Sequence, residues 1–300
     1  MSERLRQFNP NTVRRFSNGE ESPRLVVQHQ GRTEVLHRHN AGFYDTPLRV
    51  VEIGAHPDDH ALSEGIEHVL LNVNNRDTDD SNRKMSLTVV TATAGQQGLG
   101  SESHDISRVR IDEDVRGTDR LGAHLYHNLG FMDGELSWDS DSLIERMRQI
   151  MEMYDPHIII TTPPDDKVHD DHLAIQAAVV EALRLNRQES QNFKNPIVIY
   201  TDSQAGSELP HEGFGHSVGF RITGKEHEVF RAAYLDHTSQ TIVMTPDIEE
   251  VLSRPTRRAA QLGVPGYAGI VRQDMRFSQE PISSHLGNRT IPLRGKVSVE

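Results

Sequence analysis

From Leu48 onward, short apolar runs alternate with stretches whose apolar residues recur every three or four positions. "LRVVEIGA" (48–55) reads as a buried strand, and Leu62, Ile66, Val69, Leu70 and Val73 after it fall on one face of a helix. "SLTVVTAT" (86–93) is a second strand, and after a polar stretch from Ser107 to Gly122 "AHLYHNLGF" (123–131) is a third. "SLIERMRQIMEMY" (142–154) predicts a helix, "HIIITT" (157–162) a buried strand, "HLAIQAAVVEALRL" (172–185) a long helix and "PIVIYTD" (196–202) a fifth strand. This alternation predicts an α/β fold, a Rossmann-like doubly wound and mostly parallel sheet with helices on both faces.

Residues 1–47 break the pattern. They are polar and irregular except for "RLVVQHQ" and "TEVLHRH", joined across Gly31, which predict an N-terminal β-hairpin appended to a main domain over 48–300. If the five strands take the common order 3-2-1-4-5, the first and fourth lie side by side. The loops that follow them then share one crevice, the place where open α/β sheets bind ligands.

Composition narrows the partners. The chain has 300 residues, 35% of them hydrophobic, enough for a substantial core. A formal net charge of −12 argues against a general nucleic-acid binder and for a small polar substrate. There is no cysteine, which removes thiolate metal sites and cysteine nucleophiles and agrees with a reducing, cytoplasmic location. The first residues lack the apolar core of a signal peptide, and no apolar run approaches the roughly 20 residues of a membrane span.

The two loops that topology would juxtapose are also the richest in ionisable groups: "HPDDH" (56–60) and "PPDDKVHDDH" (163–172). His56 and Asp59 can turn toward one point at a helix start, and His172 can supply a third ligand. Two imidazoles and a carboxylate, with a position open to water, suit a catalytic zinc site. Asp58, next to a ligand yet uncommitted, is placed to act as a base. The pair His169 and His172 alone carries little weight in a chain with 17 histidines.

At these residues the sequence resembles the LmbE-like or PIG-L zinc-dependent de-N-acetylases. "GAHPDDH" (54–60) is similar to their AHPDDE motif and "HDDH" (169–172) to their HxDH motif. The likeness runs through much of 48–241. "TATAGQQG" (91–98) stands for the Thr-x-Gly loop, "RIDEDVRGTDRLGA" (110–123) for the Arg-x-x-Glu…Leu-Gly helix, "FMDGEL" (131–136) for an Asp-Gly pair and "AAYLDHTSQT" (232–241) for a His-x-Ser-Gln segment. The resemblance implies that His56, Asp59 and His172 hold Zn2+ or another divalent ion such as Fe2+, with Asp58 as general base. It also implies that His169 is a protonated imidazole beside the oxyanion, that Asp171 orients it, and that Arg110 and Asp133 line the substrate pocket. The implied reaction removes acetyl from an N-acetylated amino sugar.

Three features depart from the family. His60 stands where Glu is usual and reads as a solvent-facing residue at a helix start rather than a fourth ligand. Lys167 stands where some members carry a Tyr, and its ammonium could donate to the oxyanion or pair on the surface with Asp165 and Asp166. "GYAGIVR" (266–272) matches only faintly, and residues 1–47 have no counterpart. Rival readings are hydrolysis of a larger amide in the same site, a 2-His-1-carboxylate iron oxygenase, and a non-catalytic sugar-binding module. Oligomeric state is not legible in the sequence.

Overall fold

A computed structural model describes residues 13–16, 24–29, 32–36, 47–75, 84–98, 104–137, 139–166, 169–191, 193–201, 216–241, 248–291 and 293. Its centre is the five-strand parallel array that the apolar runs predict. Strands β4 (Leu48–Gly54), β5 (Met85–Thr93), β6 (Leu125–Phe131), β7 (Ile158–Thr161) and β8 (Ile197–Tyr200) lie in the spatial order β6-β5-β4-β7-β8. Every neighbouring pair among them is parallel. The connections run through α1 (Ile66–Asn74), α2 (His104–Leu121), α3 (Ser140–Tyr154) and α4 (Asp170–Glu189).

Side chains alternate across the sheet, which divides the core in two. Along β4, Leu48 and Val50 face a cluster with Ile66, Val69 and Leu70 of α1 and Val115 of α2. Val51 and Ile53 face the opposite cluster, with Leu143, Met147 and Ile150 of α3 and Ile175, Val179 and Leu183 of α4. Each such side chain contributes roughly 1.5–3 kcal/mol when fully buried. The same alternation sends Glu52 to the face of Val50, where it is buried.

The sheet is wider than the apolar pattern implies. At one edge β1 (Val13–Phe16), β2 (Arg24–His29) and β3 (Arg32–Leu36) form an antiparallel ribbon. The hairpin expected in the first 47 residues is present as β2–β3, and β3 pairs with β6, so it extends the main sheet instead of standing apart. At the other edge β8 is followed in space by β10 (Tyr267–Asp274), β9 (His216–Ile222) and β11 (Thr290–Ile291), all antiparallel, giving eleven strands in one sheet among the described residues. Helices α5 (Gly224–Leu235), α6 (Thr238–Thr241), α7 (Ile248–Gln261) and α8 (Ser283–Leu286) accompany this part. A capping box between Thr223 and Glu226 starts α5.

The first helix begins later than its apolar period suggests. Residues Asp59–Leu62 form a single 3-10 turn, Glu64 and Gly65 take left-handed φ of 59° and 72°, and α1 starts only at Ile66. Among the described residues no helix is long and apolar enough to cross a membrane.

Candidate metal centre

The segment leaving β4 has to turn at once, and Asp59 organises the turn. Its Oδ2 accepts from the backbone N–H of Ala55 at 2.7 Å and of His56 at 2.9 Å. Gly54 makes room for it: a Cβ there would stand 2.9 Å from the Asp59 Cβ. With Oδ2 committed, Oδ1 faces His172 Nε2 at 3.2 Å and His56 Nδ1 at 3.8 Å, while those two nitrogens lie 3.2 Å apart. β4 and β7 are neighbours, which is why the loops that follow them meet here.

These three atoms fit a small cation. Ligands about 2.0–2.1 Å from zinc in a tetrahedron stand about 3.3 Å from one another, near the spacing found. Electrostatics point the same way. Burial works against charge on all three groups, yet His172 is pushed up to about 9 by the Asp59 carboxylate and the Asp166 hydrogen bond. His56 is raised, against its burial, by Asp133, Asp171 and Asp59, while Asp59 is held well below the usual carboxylate range by His172 and His56. The pocket therefore demands positive charge, and its donors are two imidazoles and one carboxylate. A second grouping, His56, His169 and Asp171, also brings one donor from each residue within 4.8 Å of the others.

Around this trio the other expected residues take definite places. Asp58 Oδ1 accepts from Arg110 Nη2 at 2.7 Å, and Arg110 Nη1 donates to the Gly95 carbonyl at 2.8 Å. Arg110 is buried and paired with Asp58, the neighbour of the candidate ligand Asp59. Asp133 is buried too: Oδ2 accepts from Gln97 N–H at 2.9 Å, and Oδ1 stands 3.1 Å from His56 Nε2. That nitrogen is also 3.4 Å from Asp171 Oδ2, so it faces two carboxylates.

His169 is the N-cap of α4, with Nδ1 accepting from the Asp171 N–H at 3.3 Å. Burial and the neighbouring His56 and His172 lower its pKa, so the ring favours the neutral form. With Nδ1 occupied as an acceptor, the neutral ring carries its proton on Nε2 and still donates. The Asp171 carboxylate accepts instead from Gly134 N–H at 2.7 Å and Leu136 N–H at 3.2 Å, which ties α4 to the turn after β6. Lys167 lies outside the described residues.

The reading of His60 as solvent-facing is overturned. It is 1% exposed, with Nε2 donating to Thr91 Oγ1 at 2.9 Å and Nδ1 3.5 Å from Glu52 Oε1. Thr91 in turn donates to Asp114 Oδ2 at 2.8 Å, so a polar chain runs behind the site into the core.

Sequence reasoning also passed over two acids. Asp165 and Asp166 read as surface partners for Lys167, but Asp166 Oδ2 lies 2.7 Å from His172 Nδ1, and Asp165 is gripped by Arg272. A pair of acids between a buried strand and a candidate ligand was the available signal. Glu113, from the Arg-x-x-Glu pattern, accepts from Thr238 Oγ1 at 2.7 Å and Ser239 N–H at 2.8 Å, joining α2 to α6.

Residues 51–183 match the family model of PIG-L, described as GlcNAc-PI de-N-acetylase. A probable N-acetyl-alpha-D-glucosaminyl L-malate deacetylase 2 of Bacillus cereus is 28% identical over 163 residues, 52% of this chain and 70% of that protein. A 1D-myo-inositol 2-acetamido-2-deoxy-alpha-D-glucopyranoside deacetylase of Corynebacterium efficiens is 27% identical over 213 residues, 60% of this chain and 61% of that protein. Among solved structures, the N,N'-diacetylchitobiose deacetylase of Pyrococcus horikoshii superposes with a TM-score of 0.59 at 15% identity, covering 81% of this chain and 90% of that one. At that identity the likeness is one of fold.

Proposed function

We propose, from the match of residues 51–183 to the PIG-L family model, that this chain is a metal-dependent amide hydrolase removing acetyl from an N-acetylated amino sugar. The observation that carries the reading is the convergence of His56, Asp59 and His172 with the carboxylate of Asp58 alongside. In this reading those three residues would hold a divalent ion, zinc by the resemblance to the zinc-dependent family. Such an ion would lower the pKa of a coordinated water to about 7 and polarise a carbonyl.

The remaining work belongs to the protein. Asp58 takes the proton of the attacking water and passes it to the departing amine, one carboxylate serving both halves of the reaction. Arg110 fixes that carboxylate through one oxygen, leaving the other for the proton. His169, donating from Nε2, stabilises the carbonyl oxygen as it becomes anionic. The sugar is the substrate class because both curated relatives are named as deacetylases of glucosamine derivatives.

The deciding experiment incubates zinc-loaded protein with a panel of N-acetylglucosaminides and measures released acetate and free amine in equal amounts. Release of neither from any member, by protein shown to carry zinc, would sink the proposal.

A further inference from the structure

The loop between β7 and α4 contains two consecutive acids, and each is committed to a different part of the molecule. Asp166 Oδ2 meets His172 Nδ1 at 2.7 Å, on the opposite side of the ring from the nitrogen that faces Asp59. Asp165 receives both Nη groups of Arg272, at 3.0 and 2.6 Å. Arg272 is 5% exposed and sits on β10, where pairing with Tyr200 of β8 and Ser217 of β9 fixes its backbone on both sides. The guanidinium thus reaches the loop from a strand paired on both sides.

The arrangement bears on how His172 can act as a ligand. An imidazole that binds a metal through Nε2 needs its Nδ1 proton held by an acceptor, which fixes the tautomer and the ring plane. Asp166 is that acceptor. Its place depends on the turn at 163–166, whose own closing bond, Asp166 N–H to the Pro163 carbonyl, is long at 3.4 Å. Two adjacent carboxylates repel each other, and the repulsion would open such a turn unless a cation faces one of them. Arg272 faces Asp165 in the bidentate geometry that resists rotation.

We propose that Arg272 is a positioning residue of the metal centre: by clamping Asp165 it holds the turn so that Asp166 keeps His172 oriented for ligation. This rests on the reading of His56, Asp59 and His172 as metal ligands. It assigns a function to the C-terminal segment that the family motifs leave unexplained.

The test is zinc affinity, measured by competition with a chromogenic chelator, backed by the visible spectrum of the cobalt-substituted protein. Loss of an outer partner of a ligand weakens metal binding by about 10–100-fold. Asp166→Asn should fall within that range, and Arg272→Gln and Asp165→Asn near its lower end, about tenfold. Arg272→Lys, which restores the charge without the fork, should recover part of the loss. In an Asp166→Asn background Arg272→Gln should cost little more, because its route to the metal is already cut. A general loosening of the fold would instead add its full effect there. Should Arg272→Gln fail to fold, Asp165→Asn carries the same comparison. Unchanged affinity in the singles, or fully additive losses in the double variant, would overturn the inference while leaving the metal centre intact. Wild-type protein that takes up no zinc would overturn both.

Discussion

At the scale of single residues, the contrast between Asp58 and its neighbour Asp59 is the most direct to probe. Asp59 spends one oxygen on two backbone N–H groups and turns the other to His172, whereas the Asp58 carboxylate accepts from the Arg110 guanidinium. Asp58→Asn should therefore keep fold and metal and lose about 10²–10⁴-fold in turnover. Normal turnover in metal-replete Asp58→Asn protein would remove the base from the mechanism. His60→Ala should retain the metal yet lower stability by roughly 2–4 kcal/mol, since it leaves a cavity and strips Thr91 of a donor. Elemental analysis and urea unfolding on the same sample separate the two effects. Asp114, last in that polar chain, is raised to about 7 by burial, with His60 and the Thr91 hydrogen bond opposing. Unfolded aspartate ionises near 3.9. Between those values the native state binds the extra proton, so this group's stabilisation is complete below about pH 4 and is lost as the pH rises through about 7. Asp114→Asn should be closer to wild type, or more stable than it, at pH 8 than at pH 5. Parallel pH profiles in urea would refute this. The candidate ligands were legible because they fall in two contiguous motifs. The His60 chain was not, because Glu52, Thr91 and Asp114 come from three separate elements and each looks unremarkable in its own.

At the scale of elements, the parallel core was readable because its strands are continuous apolar runs, the pattern of strands covered on both faces. Strand β10 was not. It carries Arg272, Gln273 and Asp274, all buried, so its polar letters resemble a loop until the partners of each are known. Glycine tells a similar story in the 94–98 loop. Gly95 has φ of 66°, and a Cβ there would fall 2.2 Å from Arg110 Nη1. Gly95→Ala should push that guanidinium off the Gly95 carbonyl and off Asp58, at a cost in stability of about 1–3 kcal/mol. It should also lower turnover at constant metal content. Full activity with unchanged stability would show that the loop yields without consequence.

For the molecule as a whole, the site joins segments far apart in sequence, so a bound ion should act as a cross-link of the native state alone. Zinc at about 100 times its dissociation constant adds about 2.7 kcal/mol, which in a chain of this size raises the melting temperature by roughly 5 °C. Calorimetry with and without a chelator checks this, and coincident melting curves would contradict it. The crevice itself was foreseeable from strand order, since β4 and β7 adjoin wherever a sheet is doubly wound in this way. The antiparallel edge was not, because β9 and β11 find their partners out of sequence order.

That order also sets a timetable for the nascent chain. β9 leaves the ribosome with no neighbour yet made, since the strands on both its sides, β10 and β11, are encoded later. Until β10 emerges, β8 presents an open edge of the kind that other chains can pair with. At synthesis rates of about 5–20 residues per second, roughly a hundred residues separate His172 from Arg272, a delay of about 5–20 seconds. During that interval the proposed ligands are made while the proposed clamp is not, so on this reading a chain that meets zinc before translation ends would hold it less tightly than the finished protein.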